Sequence, residues 1–173
     1  VLQGDYRAST DPQVFFSMVV GACISACIYD AENGVGGMNH FLLANGNGVS
    51  ARYGIHAMEL LINGIMKKGA QRNNLKAKVF GGAKMSVNLS DIGASNSHFV
   101  QHFLKDEGIP VISSSVGGNS ARRVRFHAVS GSAQQTRVEN DRRLGEQELA
   151  RARPAAAPAP APAASDPGGL TLF

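Results

Sequence analysis

Two short apolar runs flank a turn signal near the start of the chain. Residues 22–29 read Ala-Cys-Ile-Ser-Ala-Cys-Ile-Tyr and residues 35–43 read Val-Gly-Gly-Met-Asn-His-Phe-Leu-Leu. Between them stands Asp30-Ala31-Glu32-Asn33-Gly34, ending on the Asn-Gly pair that favours a tight reversal. The pattern predicts an antiparallel hairpin. It constrains the chain more than any other segment, because Cys23, Cys27 and His40 all lie on it.

Two cysteines in 173 residues do not make a disulfide scaffold. Four residues apart on a strand, their Cα atoms would stand roughly 13 Å apart, beyond disulfide reach. A zinc site needs about four ligands, and no second Cys pair or His pair follows at finger spacing. His98 and His102 share a helix face at i,i+4, without the acid that a zinc-protease helix carries between them. No metal site and no cofactor are therefore expected.

The rest of the chain alternates elements. Residues 15–20 are apolar and β-branched and read as a strand. Residues 53–68 carry a helical period, with Ile55, Met58, Leu61, Ile62, Ile65 and Met66. Residues 75–80 read as a strand ended by Gly81-Gly82. Residues 95–107 form a second helix, closed by Gly108 and Pro110. Residues 109–115 and 124–129 are strands around a turn at Gly117-Gly118. The order predicts a single α/β (α+β) layered sandwich with an N-terminal hairpin and about two long helices.

Composition breaks after Val138. Residues 139–153 are polar and charged and could form a frayed helix. From Pro154 the chain runs Pro/Ala-rich, which favours extended polyproline II, and ends on Leu170-Thr171-Leu172-Phe173. The expected organisation is a domain over 1–138 and a disordered tail over 139–173. The net charge is +4, with arginines late in the chain, which suits a solvated basic face or an acidic protein surface. Exposed aromatics interleaved with basic residues are missing from the strands, so nucleic acid is not an expected partner. No apolar run is long enough to cross a membrane. Nothing at the start reads as a signal peptide, and residues are expected to precede Val1. A reducing cytoplasm is the expected compartment.

The hairpin carries the chemistry. If it is centred between Ala31 and Glu32, Cys23 faces His40. If it is centred on Asn33-Gly34, Cys27 does. Opposed side chains have Cβ atoms about 4.5–5.5 Å apart, close enough for a thiol to hand its proton to an imidazole. Periodicity leaves both registers open. Context leans to Cys23, which follows the small residues Gly21-Ala22, whereas Cys27 sits mid-strand like a core thiol.

Seven segments together resemble the CheD family of chemoreceptor glutamine deamidases: VLQGDYRASTDP, GACISACIYD, GVGGMNHFLLA, RYGIHAMELLI, AKVFGGAKM, IGASN and GGNSARRVRF. The likeness runs from Val1 to about Gly131. It implies hydrolysis of selected glutamine side chains on methyl-accepting chemotaxis proteins to glutamate, with release of ammonia. It also implies a fold like the catalytic domain of cytotoxic necrotizing factor toxins. The family motif places a nucleophilic Cys in Gly-Ser-Cys, a His 17 residues later and a Thr six residues earlier. Cys23 matches the nucleophile, His40 the general base, and Ser17 stands where the Thr belongs, as an orienting hydroxyl. Ala22 replaces the Ser of the motif.

The resemblance assigns no role to His56, His98, His102 or His127, which read as structural or surface histidines. Gly81-Gly82 and Gly117-Gly118 match family glycines, either as turns or as close backbone approaches at the site. Asn96 matches a family Asn near a helix start, where capping is the expected role. Relatives also bind phosphatases of the CheC family. A regulatory binding module with weak catalysis, or a receptor methylesterase, is therefore an alternative to the deamidase.

Overall fold

The computed structural model describes residues 1–44, 48–86, 90–139 and 142–152, the side chains of Ser90 and Arg142 excepted. The elements in chain order are β1 (Tyr6–Ser9), β2 (Phe15–Val20), β3 (Ile24–Asp30), β4 (Val35–Asn39), α1 (Gly48–Lys67), β5 (Lys76–Gly81), α2 (Ser90–Asp106), β6 (Val111–Val116), β7 (Ala121–His127), β8 (Ala133–Val138) and α3 (Arg142–Ala152). A 3-10 turn, Arg72–Asn74, precedes β5. Five strands form one sheet in the order β1-β4-β3-β5-β6, and three form a second in the order β2-β7-β8. The mixed α/β sandwich is as the sequence predicts.

The central strand β3 is buried at every residue because both of its faces are covered. Ile24, Ala26 and Ile28 point to one side and pack with Met58, Leu61 and Ile65 of α1 and Val100 and Leu104 of α2. Cys23, Cys27 and Tyr29 point to the other side. There they meet Met38 and the inner residues of the second sheet, Met18, Val20, Val124 and Phe126. The period-2 alternation of a strand thus sorts the hairpin's side chains into a helix-facing set and a sheet-facing set.

The hairpin β3–β4 forms, with Asp30 opposite Val35 and Cys27 opposite Met38. This register lies midway between the two the sequence allowed, so neither cysteine faces His40 squarely. Asp30 fixes the turn by accepting the Asn33 N–H at 3.0 Å and the Gln71 N–H at 2.9 Å.

Two strands escape the sequence reading. β1 has only four residues at a sheet edge, and β8 is the polar edge strand Ala-Gln-Gln-Thr-Arg-Val. Neither carries the apolar alternation that marks a half-buried strand. Both helices begin earlier than the period suggested, α1 at Gly48 and α2 at Ser90.

The packed chain does not stop at Val138. Residues 142–152 form α3, and Leu144, Leu149 and Ala152 pack against the apolar layer between the two sheets. The charged composition hid this helix because its apolar stripe is thin and its most buried side chain is an acid, Glu148. The Pro/Ala-rich stretch and the apolar tip lie outside the described residues.

Candidate active site

Cys23, His40 and Glu148 meet in the layer between the sheets. One ligand-type atom from each, the thiol sulfur, an imidazole nitrogen and a carboxylate oxygen, lie within 4.8 Å of one another. All three are buried, Cys23 completely. Among the described residues this is the one grouping that offers three such donors. A zinc ion would sit about 2.0–2.3 Å from each donor and would draw them closer together.

Local structure explains how Cys23 and His40 come together without facing one another. A bridge joins Ile24 to Phe41, with N–H to carbonyl distances of 2.9 and 3.0 Å in the two directions. Each residue of interest immediately precedes a bridge partner in sequence. Across an antiparallel pair this makes them diagonal neighbours on the same face, within reach of a ring and a thiol.

The backbone around Cys23 is held by the end of β5. The Gly82 N–H donates to the Cys23 carbonyl at 2.8 Å and the Ala83 N–H to the Gly21 carbonyl at 2.9 Å. Gly81 makes this approach possible. Its φ is +116°, and a Cβ there would collide with the Cys23 carbonyl oxygen. Of the two readings of Gly81-Gly82, close backbone approach is the one observed. Arg122 of β7 is buried behind this loop and donates to the Gly81 carbonyl at 2.9 Å and the Gly117 carbonyl at 2.5 Å.

His40 is fixed mainly through its backbone. Its N–H donates to the Asp5 carbonyl at 3.1 Å and its carbonyl accepts from Gly4 at 2.7 Å. The ring Nδ1 stands 3.4 Å from the Val1 carbonyl, while Nε2 is buried without a hydrogen-bond partner. Burial lowers the His40 pKa to about 4, so the ring is neutral at neutral pH. Burial likewise raises the Cys23 thiol well above its ordinary value, and the nearby Glu148 carboxylate raises it further. Cys27, also fully buried, is pushed up to about 12 by burial.

Ser17 is not brought into the cluster. Along β2 the inward residues are Met18 and Val20, and Ser17 faces solvent opposite Arg125 of β7. Its connection to the site runs through backbone. The Val1 nitrogen donates to the Ser17 carbonyl at 2.7 Å, and the Val1 carbonyl approaches His40.

Asn96 does not cap α2. It is buried within the helix, accepts the Leu43 N–H at 2.7 Å and donates to the Ile92 carbonyl at 2.7 Å, so it anchors the segment that follows His40. The other histidines lie elsewhere. His102 lies 3.2 Å from the Asp106 carboxylate on the exposed face of α2, and His127 contacts the Pro12 carbonyl at 2.7 Å.

Glu148 is the site residue that the sequence reading missed. Its Oε1 accepts the Gly21 N–H at 2.8 Å and its Oε2 the Ala22 N–H at 2.7 Å. Burial raises its pKa, and these N–H groups and the Cys23 thiol oppose that rise. An acid in a polar helix gives no sequence signal of burial.

The model of the family described as CheD chemotactic sensory transduction matches residues 43–137. A protein of Ruegeria sp. (strain TM1040) named "Probable chemoreceptor glutamine deamidase CheD 1" is 74% identical over 177 residues, which cover 100% of this chain and 94% of that protein. This chain belongs to the CheD family. A Caulobacter sp. (strain K31) member, "Probable chemoreceptor glutamine deamidase CheD", is 54% identical over 82% of this chain and 78% of its own length. Among solved structures, the Bacillus licheniformis hypothetical protein YfiH aligns with a TM-score of 0.46 and 15% identity, over 64% of this chain and 50% of that one, too distant a likeness to inform fold or function. Within this CheD member the family match takes in Gly81, Asn96, Gly117 and Arg122, while Cys23 and His40 precede it.

Proposed function

We propose that this chain is a protein-glutamine deamidase acting on glutamine side chains of methyl-accepting chemotaxis receptors, with Cys23 as nucleophile and His40 as general base. The convergence of a thiol, an imidazole and two backbone N–H donors in one buried cluster carries the reading. The thiol proton passes to His40 and the sulfur attacks the amide carbon. The amide oxygen gains negative charge and takes hydrogen bonds from the N–H groups of Gly21 and Ala22. Protonated His40 returns the proton to the departing nitrogen, which leaves as ammonia. Water then cleaves the thioester to glutamate and restores the thiol. Neither Ala22 nor Ser17 contributes a side chain to these steps. Ala22 acts through its N–H, and the orienting hydroxyl is replaced by the Val1 carbonyl beside His40.

Receptor glutamines of this kind lie on cytoplasmic fragments, which puts the reaction in the cytoplasm. No described helix is long and apolar enough to cross a membrane. A fold like the catalytic domain of cytotoxic necrotizing factors is part of the same proposal. A second reading is a binding module that engages a receptor or a CheC-type phosphatase with little catalysis. The complete burial of Cys23 favours it.

The test is to incubate the protein with receptor cytoplasmic fragments and map glutamine-to-glutamate conversion by mass spectrometry. Site-specific conversion that disappears in Cys23→Ala supports the deamidase. Binding without conversion supports the module, and release of methanol from methylated fragments instead would make it an esterase.

A further inference from the structure

Helix α3 stands where a substrate would have to stand. It lies over Cys23, and its one buried acid, Glu148, reaches down to the thiol. The carboxylate occupies the N–H groups of Gly21 and Ala22, the donors that the reaction needs for its oxyanion. Gly21 leaves room for this approach, because a Cβ there would come within 2.9 Å of a Glu148 carboxylate oxygen. A glutamate side chain seated at the nucleophile of a glutamine deamidase has the chemistry of the bound product.

We propose that α3 is a tethered product mimic: it fills the substrate groove with Glu148 in the position of a converted glutamine, and a glutamine-bearing helical segment of the substrate must displace it for turnover. The inference rests on the reading of Cys23 as the nucleophile.

The way α3 is held suits displacement. Leu144, Leu149 and Ala152 are only partly buried against the sheets. The Gln3 side chain donates to the Glu148 carbonyl at 2.8 Å. α3 follows β8 in the chain, and neither sheet draws a strand from it. A helix whose role was only to cover the apolar layer would gain by placing a leucine at 148. A buried carboxylate beside a thiol instead opposes thiolate formation, which keeps the closed site silent. The burial of Cys23 and the upward shift of its thiol describe that closed state.

The occupant also defines what the groove accepts. The side chain reaching the thiol comes from a helix whose Leu144, Leu149 and Ala152 pack against the same apolar layer. A substrate glutamine presented from a helix therefore fits the groove without unwinding.

The mimic can be converted into a substrate. In Glu148→Gln the full chain carries a carboxamide at the position of the carboxylate. The Cys23 sulfur should form a thioester with that carboxamide carbon as the carbon–nitrogen bond breaks, with His40 giving its proton to the leaving ammonia. Water then releases the thiol and leaves glutamate at 148. Peptide mapping of purified E148Q should show this conversion rising with time, and none in the double variant with Cys23→Ala. A second readout needs no turnover. Iodoacetamide should alkylate Cys23 at least about tenfold faster in Glu148→Ala than in the unaltered chain, since a like charge and a cover are both removed.

If E148Q stays unconverted while it converts receptor glutamines, the groove is not the substrate groove and the proposal is overturned. Unchanged alkylation in a folded Glu148→Ala overturns the closed site on its own. Faster alkylation with no conversion of any glutamine, by any variant, would instead leave α3 as a cover and remove the deamidase reading.

Discussion

Ile24 and Phe41 form the bridge that sets the site: Cys23 sits just before one partner and His40 just before the other. A shift of one residue in this register would turn one of the two side chains away from the layer between the sheets and toward the helices. Cys27 shares the face of Cys23 but lies opposite Met38, deep in the apolar layer.

The first expected outcome follows from that difference. Cys23→Ala should abolish deamidation of receptor fragments, while Cys27→Ala should retain most of it. Cys27→Ala should cost roughly 1–2 kcal/mol of stability through the small cavity it leaves. Equal loss of turnover in both variants, with both folded by circular dichroism, would remove Cys23 from its role.

His40→Ala should lower turnover at least the roughly 10²-fold typical of losing a general base. In the Glu148→Ala background, where the thiol should become reachable, the same change should also slow alkylation of Cys23 near neutral pH. An unchanged alkylation rate there would show that the imidazole does not take the thiol proton.

Stability should depend on pH through the same ring. The folded His40 pKa of about 4 lies below its ordinary value of 6.5. The unfolded chain therefore binds more protons between these values. Stability is fully present above about pH 6.5 and falls as pH drops toward 4. Glu148, whose pKa is raised on folding, acts in the opposite sense, gaining stability as pH falls through its range. Thermal melts in a Glu148→Gln, Cys23→Ala background should show the His40 slope beside that of the Val1 amine, whose pKa burial also lowers, and adding His40→Gln should reduce the slope. A slope unchanged by His40→Gln would assign it elsewhere.

The hairpin was legible because its strands are apolar and its turn carries Asn-Gly. Cys23 and His40 were legible as neighbours on one hairpin, although the register was not. Loop geometry decided it, with Asp30 tied to Asn33 and Gln71, and a ladder of this kind leaves no trace in residue period. Glu148 was illegible for a different reason. Its burial depends on N–H groups more than 120 residues away in sequence, and a charged helix near the end of a domain reads as solvated. Asn96 looked like a cap because the start of α2 at Ser90 carries no apolar period to announce it.

Ser17 tests how His40 is oriented. Its hydroxyl faces solvent and its carbonyl takes the Val1 nitrogen. Ser17→Ala and Ser17→Thr should therefore both keep turnover within about twofold, because the link to the ring uses backbone that neither change removes. A loss in Ser17→Ala that Ser17→Thr restores would show that the hydroxyl matters after all, and would return the orienting role to the side chain.

Arg122 holds the site from behind, and its contribution separates into stability and turnover. Its guanidinium donates to two carbonyls, Gly81 and Gly117, and burial lowers its pKa. These carbonyls belong to the loops that fix the Cys23 backbone through Gly82 and Ala83. Arg122→Met keeps most of the apolar stem but leaves the Gly117 carbonyl without this donor. The Gly81 carbonyl retains the Gly117 N–H at 3.0 Å. The loss should therefore be about 1–3 kcal/mol, seen as a drop of several degrees in melting temperature. Turnover should fall further than stability alone explains, since the N–H groups of Gly21 and Ala22 lose their alignment as the loop relaxes. Arg122→Lys should recover the charge but not both bonds, because a single ammonium cannot reproduce the planar fork. Measured together, melting temperature and kcat at a temperature well below the transition separate the two effects. A variant with lowered melting temperature and unchanged kcat would make Arg122 a strut of the fold with no part in aligning the oxyanion donors.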